Sequence, residues 1–194
     1  MLKDLGRFTR LLLILNISFF AIQLLIPNLL EEYFALWPID AGFQLWQVIS
    51  YAFLHGSSSH LLFNMLGLVS FGSPLEKYWG PKRLLIFYSA SVLAAAVTQL
   101  FVTAQLGQQE PTVGASGGIY GLLLGFGMMF PYKRITPLIP PISMPAWVFV
   151  SIFGSLELLL GVTGTAGKIA HFAHLGGMIG GFSMLNYWRT HPKY

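Results

Sequence analysis

An all-α bundle of six membrane-spanning helices is what this 194-residue chain predicts, and three observations carry that reading. Hydrophobic residues make up 55% and charged residues only 9%, with a mean hydropathy of +0.65, more apolar surface than a water-soluble domain can bury. The apolar residues gather into six runs of roughly 17–25 residues, the length a helix needs to cross about 30 Å of hydrocarbon. Between those runs the basic residues fall at alternate ends. The net charge of +4 therefore marks span ends rather than a nucleic-acid surface. The absence of cysteine excludes a disulfide framework, a thiol nucleophile and a thiolate metal site.

The spans lie near 9–27, 58–74, 83–104, 114–131, 145–162 and 169–188, within a single membrane domain covering 1–194. The first is long enough to be a retained span, and no small-residue cleavage site precedes Pro27. A long outer loop, about 28–57, carries Tyr33, Phe34, Trp37, Phe43, Trp46 and Tyr51, a composition suited to the membrane interface. The second span emerges from Gly56-Ser57-Ser58-Ser59 and stops at Pro74, and the third begins at the basic group Lys77, Lys82 and Arg83. The fourth opens on Gly114-Ala115-Ser116-Gly117-Gly118. The fifth follows Pro137, Pro140, Pro141 and Pro145, and the sixth contains His171 and His174.

Ten of the eleven lysines and arginines, from Lys3, Arg7 and Arg10 through Lys133 and Arg134 to Arg189 and Lys193, share one side of this topology. Only Lys168 joins Glu31, Glu32, Asp40 and Glu110 on the other, so both termini are expected in the cytoplasm.

Polar groups in hydrocarbon are costly and mark function or an internal partner. Spans two, four and six run in the same direction, so His60 and Asn64, Ser116, and His174 all sit roughly 3–10 Å inside the outer surface. His60 and Asn64, four apart, share a helix face. A hydroxyl, two imidazoles and an amide thus meet in one layer, a set suited to nucleophilic catalysis within the bilayer. Gly117, Gly121 and Gly125 in span four, and Gly177 and Gly181 in span six, recur every four residues and let backbones approach closely enough for Ser116 to reach an imidazole. Tyr120, one turn after Ser116, is placed to pack against that ring. Spacing alone leaves His171 and His174 as rival bases.

Gly114-Ala115-Ser116-Gly117 resembles the G-x-S-G of the rhomboid intramembrane serine proteases. His60 to Asn64 is similar to that family's H-x-x-x-N, Ala173-His174-Leu175-Gly176-Gly177 with Gly181 to its A-H-x-x-G-x-x-x-G, and Gly72 through Glu76 to Gly80 to its G-x-x-x-E-x-x-x-G. The resemblance covers roughly residues 46–182 and implies a six-span rhomboid-like bundle, a minimal bacterial form by size. It implies Ser116 as nucleophile and His174 as general base, with His60, Asn64 and the Ser116 backbone N–H as the oxyanion hole. Gly114, Gly117, Tyr120, Gly177 and Gly181 support them.

The activity so implied is hydrolysis of a peptide bond in or beside the transmembrane segment of another membrane protein, with no cofactor, no metal and no nucleic acid. The implied setting is the bacterial inner membrane, with the site opening to the outer side. The orienting acid of a triad has one candidate, Glu157, the single carboxylate in the outer halves of the spans; since the family works with a dyad, it is expected to be interfacial or water-exposed rather than in contact with His174. A metal site from His55, His60, His171 and His174 finds no carboxylate or thiolate spacing to support it. His55 reads as a structural hydrogen-bonding residue, and Glu76 as fixing the cytoplasmic end of span two. One departure is Trp46-Gln47 where the family often has Trp-Arg, which removes an arginine brace from the outer loop. The alternative function is a catalytically silent relative that binds transmembrane helices. A channel or transporter would need more intramembrane charge than this chain has.

Overall fold

The computed structural model describes residues 5–138, 140–164 and 170–191; Lys3, Lys168, Lys193 and the expected start of the sixth span at 169 lie outside them. The fold is all-α: α1 (Arg7–Leu25), α2 (Pro27–Phe34), α3 (Gln47–Ser50), α4 (Ser58–Gly67), α5 (Ser73–Trp79), α6 (Pro81–Leu106), α7 (Ser116–Met129), α8 (Ala146–Thr163) and α9 (His171–Thr190). A two-residue antiparallel pairing of β1 (Arg134–Ile135) with β2 (Met144–Pro145) closes the α7–α8 connection.

By length and composition α1, α6 and α8 can each cross a membrane, at 19, 26 and 18 residues. Their outward faces are apolar: Leu25, Val97 and Val162 are 82%, 64% and 72% exposed, a surface that only lipid would solvate favourably. The molecule is an integral membrane protein.

Two boundaries differ from expectation. The second helix does not stop at Pro74; α4 passes through a π-helical turn, Leu68–Gly72, and continues as α5 to Trp79. A proline lacks its N–H and crowds the carbonyl four residues back, and the wider π turn ahead of Pro74 absorbs both defects. The fourth helix is shorter than the run 114–131, with 14 residues starting at Ser116. At 1.5 Å per residue it spans about 21 Å, less than the hydrocarbon thickness. The outer loop 28–57 is largely folded, into α2, α3 and 3-10 turns at Ile39–Ala41 and Tyr51–Phe53.

Helices α6, α7 and α9 form the core by glycine-mediated approach. A Cβ at Gly177 would overlap the Gly117 carbonyl, one at Gly181 would lie 3.2 Å from the Gly121 oxygen, and one at Gly125 would lie 2.9 Å from the Phe87 ring. Larger side chains would separate the helices that carry Ser116 and His174. At the far end of the bundle, Glu76 of α5 caps α1: its carboxylate accepts from the backbone N–H of Phe8 and of Thr9, both at 2.8 Å, and from Thr9 Oγ1 at 2.7 Å. The anion satisfies first-turn donors that Gly6, the N-cap, leaves unpaired, so Glu76 ties α5 to the start of α1.

Candidate active site

Ser116 owes its position to the segment before α7. Leu36 and Thr112 exchange two backbone hydrogen bonds of 2.9 Å, and the Gly114 N–H donates to the Tyr51 carbonyl at 2.9 Å. The Tyr51 hydroxyl in turn donates to the Val92 carbonyl of α6 at 2.9 Å. Irregular backbone among apolar helices needs protein partners for its polar groups, and the folded loop 28–57 supplies them here. Gly114 has φ +132°, and a Cβ there would fall 2.7 Å from His60 Cε1, so both its backbone and its missing side chain are required.

His174 enters from the first turn of α9, and its Nε2 lies 2.8 Å from Ser116 Oγ. Tyr120 stacks on the imidazole with ring centroids 4.3 Å apart and planes at 7°. His171, the rival base, turns away from the serine to Glu157, with Nδ1 2.6 Å from Oε2.

His60 stands on α4, where Ser57 is the N-cap and accepts from the His60 backbone N–H at 3.1 Å. Its Nδ1 accepts a long, 3.4 Å bond from the Gly56 N–H, which leaves the proton on Nε2, the atom beside Gly114. Asn64, one turn on, is buried at 6% exposure and its Nδ2 has no partner. The face of α4 that carries them packs on α7, since a Cβ at Gly67 would lie 2.7 Å from Ile119. An orphaned buried amide costs about 1–3 kcal/mol, so its persistence here calls for a reason.

Glu157 overturns the expectation of an interfacial or water-exposed residue. It is buried at 7% exposure, Oε1 accepts from the Tyr120 hydroxyl, and Oε2 lies 2.6 Å from His171 Nδ1 and 2.9 Å from His174 Nδ1. Helices α8 and α9 are sequence neighbours running in opposite directions, which brings a residue six positions before the end of α8 level with the first turn of α9. A carboxylate therefore does join the histidines, contrary to the reading of spacing alone. One ligand atom each from Glu157, His171 and His174 lies within 4.8 Å of the others, a group able to hold a metal ion. At 2.6 Å His171 Nδ1 is in direct hydrogen-bond contact with the carboxylate, whereas His174 Nδ1 approaches it to 2.9 Å without an aligned hydrogen bond.

Two further residues differ from expectation. The outer loop is braced by Gln47: buried at 1% exposure, its Oε1 accepts from the backbone N–H of Trp37 at 3.2 Å and of Gln44 at 3.1 Å. An amide thus holds the loop where an arginine was missed. His55 is held through its backbone, which exchanges bonds of 3.0 and 3.1 Å with the Gln23 amide, whereas its buried ring nitrogens are unpaired. Burial first, then the neighbouring His60, pushes the His55 imidazole down to about 4.

An all-α membrane protein whose serine and histidine meet across two glycine-packed helices is the class these observations define. The chain belongs to the rhomboid family: the Rhomboid domain model matches residues 42–190. It is similar to Rhomboid protein 1, mitochondrial, of Saccharomyces cerevisiae, with 33% identity over 140 residues, 69% of this chain and 39% of that protein. It is also similar to Rhomboid protease GlpG of Yersinia pestis, with 30% identity over 193 residues, 95% of this chain and 63% of the relative. The chain thus spans 39% to 63% of the length of these relatives.

Proposed function

We propose that this chain is an intramembrane serine endopeptidase that cleaves a peptide bond in or next to the transmembrane segment of other membrane proteins. The observation that carries the reading is the 2.8 Å contact between Ser116 Oγ and His174 Nε2, from different helices, inside an apolar bundle of the rhomboid family. As Oγ bonds to the scissile carbonyl carbon, its proton passes to Nε2. The carbonyl oxygen becomes an oxyanion facing the His60 Nε2–H, the Asn64 amide and the Ser116 backbone N–H. Collapse breaks the C–N bond as His174 returns the proton to the leaving amine, and water then repeats the cycle on the Ser116 ester. Neutral donors suit this setting because they stabilise the oxyanion without adding buried charge.

In the proposed topology the chain forms one membrane domain with six spans, α4 through α5 counting as the second, and both termini in the cytoplasm. The basic residues at one end, Arg7, Arg10, Lys77, Lys82, Arg83, Lys133, Arg134 and Arg189, support that orientation. The site then opens toward the outer side, and the bacterial GlpG relatives favour the inner membrane as its setting. No step requires a cofactor. A substrate helix must unwind to expose its carbonyl, so segments with glycine, proline or small polar residues are the preferred targets.

The test is cleavage of a single-span reporter in liposomes. Wild-type protein is expected to cut, and Ser116→Ala and His174→Ala are expected to bind the reporter without cutting it. Undiminished cleavage by Ser116→Ala would refute the proposal, and wild-type binding without cleavage across reporters and lipids would establish a silent helix-binding relative instead.

A further inference from the structure

A dyad needs only Ser116 and His174, yet the base has a third neighbour. Glu157 Oε2 lies 2.9 Å from His174 Nδ1, the nitrogen opposite the one that faces Ser116. Its approach lies off the N–H direction, since Nδ1 makes no well-aligned hydrogen bond, a looseness common in catalytic hydrogen bonds before substrate arrives. We propose that Glu157 is a positioning residue that completes a Ser116–His174–Glu157 triad, its carboxylate holding the proton on His174 Nδ1 and stabilising the imidazolium that forms when Ser116 attacks. The inference deepens the endopeptidase reading and rests on it.

Three features of the carboxylate support the assignment. An ionised carboxylate accepts and never donates, so beside Nδ1 it selects the tautomer in which Nε2 is free to take the serine proton. Its own position is fixed on both oxygens, by the Tyr120 hydroxyl on Oε1 and by His171 Nδ1 on Oε2 at 2.6 Å. Tyr120 also stacks on His174, so one side chain sets both the plane of the imidazole and the carboxylate that meets it. A buried anion in an apolar bundle is costly unless donors surround it, and here every donor belongs to the base or touches it or the carboxylate. His171 gains a role as well: it donates to the carboxylate rather than to the substrate.

The test is steady-state cleavage of the liposome reporter by wild type, Glu157→Gln and Glu157→Asp, with Ser116→Ala and His174→Ala in parallel and a melting temperature for each. Glutamine keeps the shape but can turn an N–H toward Nδ1 and favour the wrong tautomer. A fall in kcat of at least about tenfold is expected, with KM within about twofold and melting little changed. Aspartate keeps the charge at a longer reach and is expected to give an intermediate kcat. If Ser116→Ala and His174→Ala are dead while Glu157→Gln keeps wild-type kcat, the triad is wrong and the dyad stands. If those two variants still cut, the endopeptidase reading itself has failed. Should the glutamine variant not fold, the aspartate variant decides: reduced kcat at unchanged KM supports the triad, and wild-type kcat overturns it. Activity that is lost to a chelator and regained with zinc would overturn it too, because Glu157, His171 and His174 would then be metal ligands.

Discussion

Among the described residues two carboxylates are buried, Glu76 at 4% exposure and Glu157 at 7%, and their partners differ in kind. Glu76 accepts two backbone amides and one hydroxyl at the start of α1, groups that do not change protonation in any reaction. Glu157 accepts from a phenol and faces two imidazoles, one of which touches Ser116. The difference extends to the surroundings. Of the six buried polar side-chain atoms without a hydrogen bond among the described residues, five belong to His55, Asn64, His171 and His174, and none to Glu76 or Thr9. Around Glu76 the polar groups are satisfied within the protein, whereas most of the unpaired buried polar atoms belong to the histidines and to Asn64. A carboxylate in lipid is therefore read by its partners: inert donors mark a strut, and titratable ones mark chemistry.

The sharpest way to break this contrast is at Asn64. Removing its unpaired amide with Asn64→Ala is expected to lower kcat by about 10²–10³-fold while leaving the melting temperature unchanged or raised, since no hydrogen bond of the folded state is lost. A variant that melts early in proportion to its lost activity would move Asn64 to the structural side. Glu76→Ala is expected to do the reverse. Three hydrogen bonds to a charged acceptor vanish and first-turn donors of α1 are stranded, which costs about 3 kcal/mol of stability, measured by denaturation in detergent, with kcat per folded molecule unchanged. Gln47→Ala should cost about 1–2 kcal/mol, as the Trp37 and Gln44 amides lose their acceptor, again without a direct effect on kcat.

The smallest effect concerns pH. His55 is held to about 4 in the fold, below its unfolded value of about 6.5, so the unfolded chain takes up more protons across that window. Stability conferred by neutral His55 is full above about pH 6.5 and is lost as pH falls toward 4. A decrease of about 1–2 kcal/mol between pH 7 and pH 5 is expected in wild type and is expected to shrink in His55→Phe. An equal slope in both proteins would assign the acid sensitivity elsewhere.

The core geometry was legible because it repeats locally. Gly117, Gly121, Gly177 and Gly181 announce close packing of two helices, and that packing fixes how near Ser116 and His174 can come. Helix limits were less so: the run 114–131 is apolar throughout, yet α7 begins only at Ser116, because the residues before it pair with Leu36 and Tyr51, contacts far away in the chain. Pro74 read as a stop because a π turn that accommodates it leaves no composition signature.

Glu157 stood out as the one candidate acid but read as interfacial, for a similar reason. Helix α8 is apolar on every side, so no periodicity says which way residue 157 points. Depth along span five, about 9 Å from the end of α8, is what made it a candidate, but depth does not say which face of the helix carries it. Gln47 escaped because its brace consists of backbone amides of neighbouring turns, which only the folded loop reveals.

The central claim is that His174 activates Ser116 as a nucleophile within the membrane. Its most direct measurement is covalent labelling of the protein in liposomes by a fluorophosphonate, with the modified residue mapped by mass spectrometry. The account predicts a single adduct on Ser116 that is lost in His174→Ala and retained in Glu76→Ala. Equal labelling of Ser116 with and without His174, or an adduct on another serine, would contradict it.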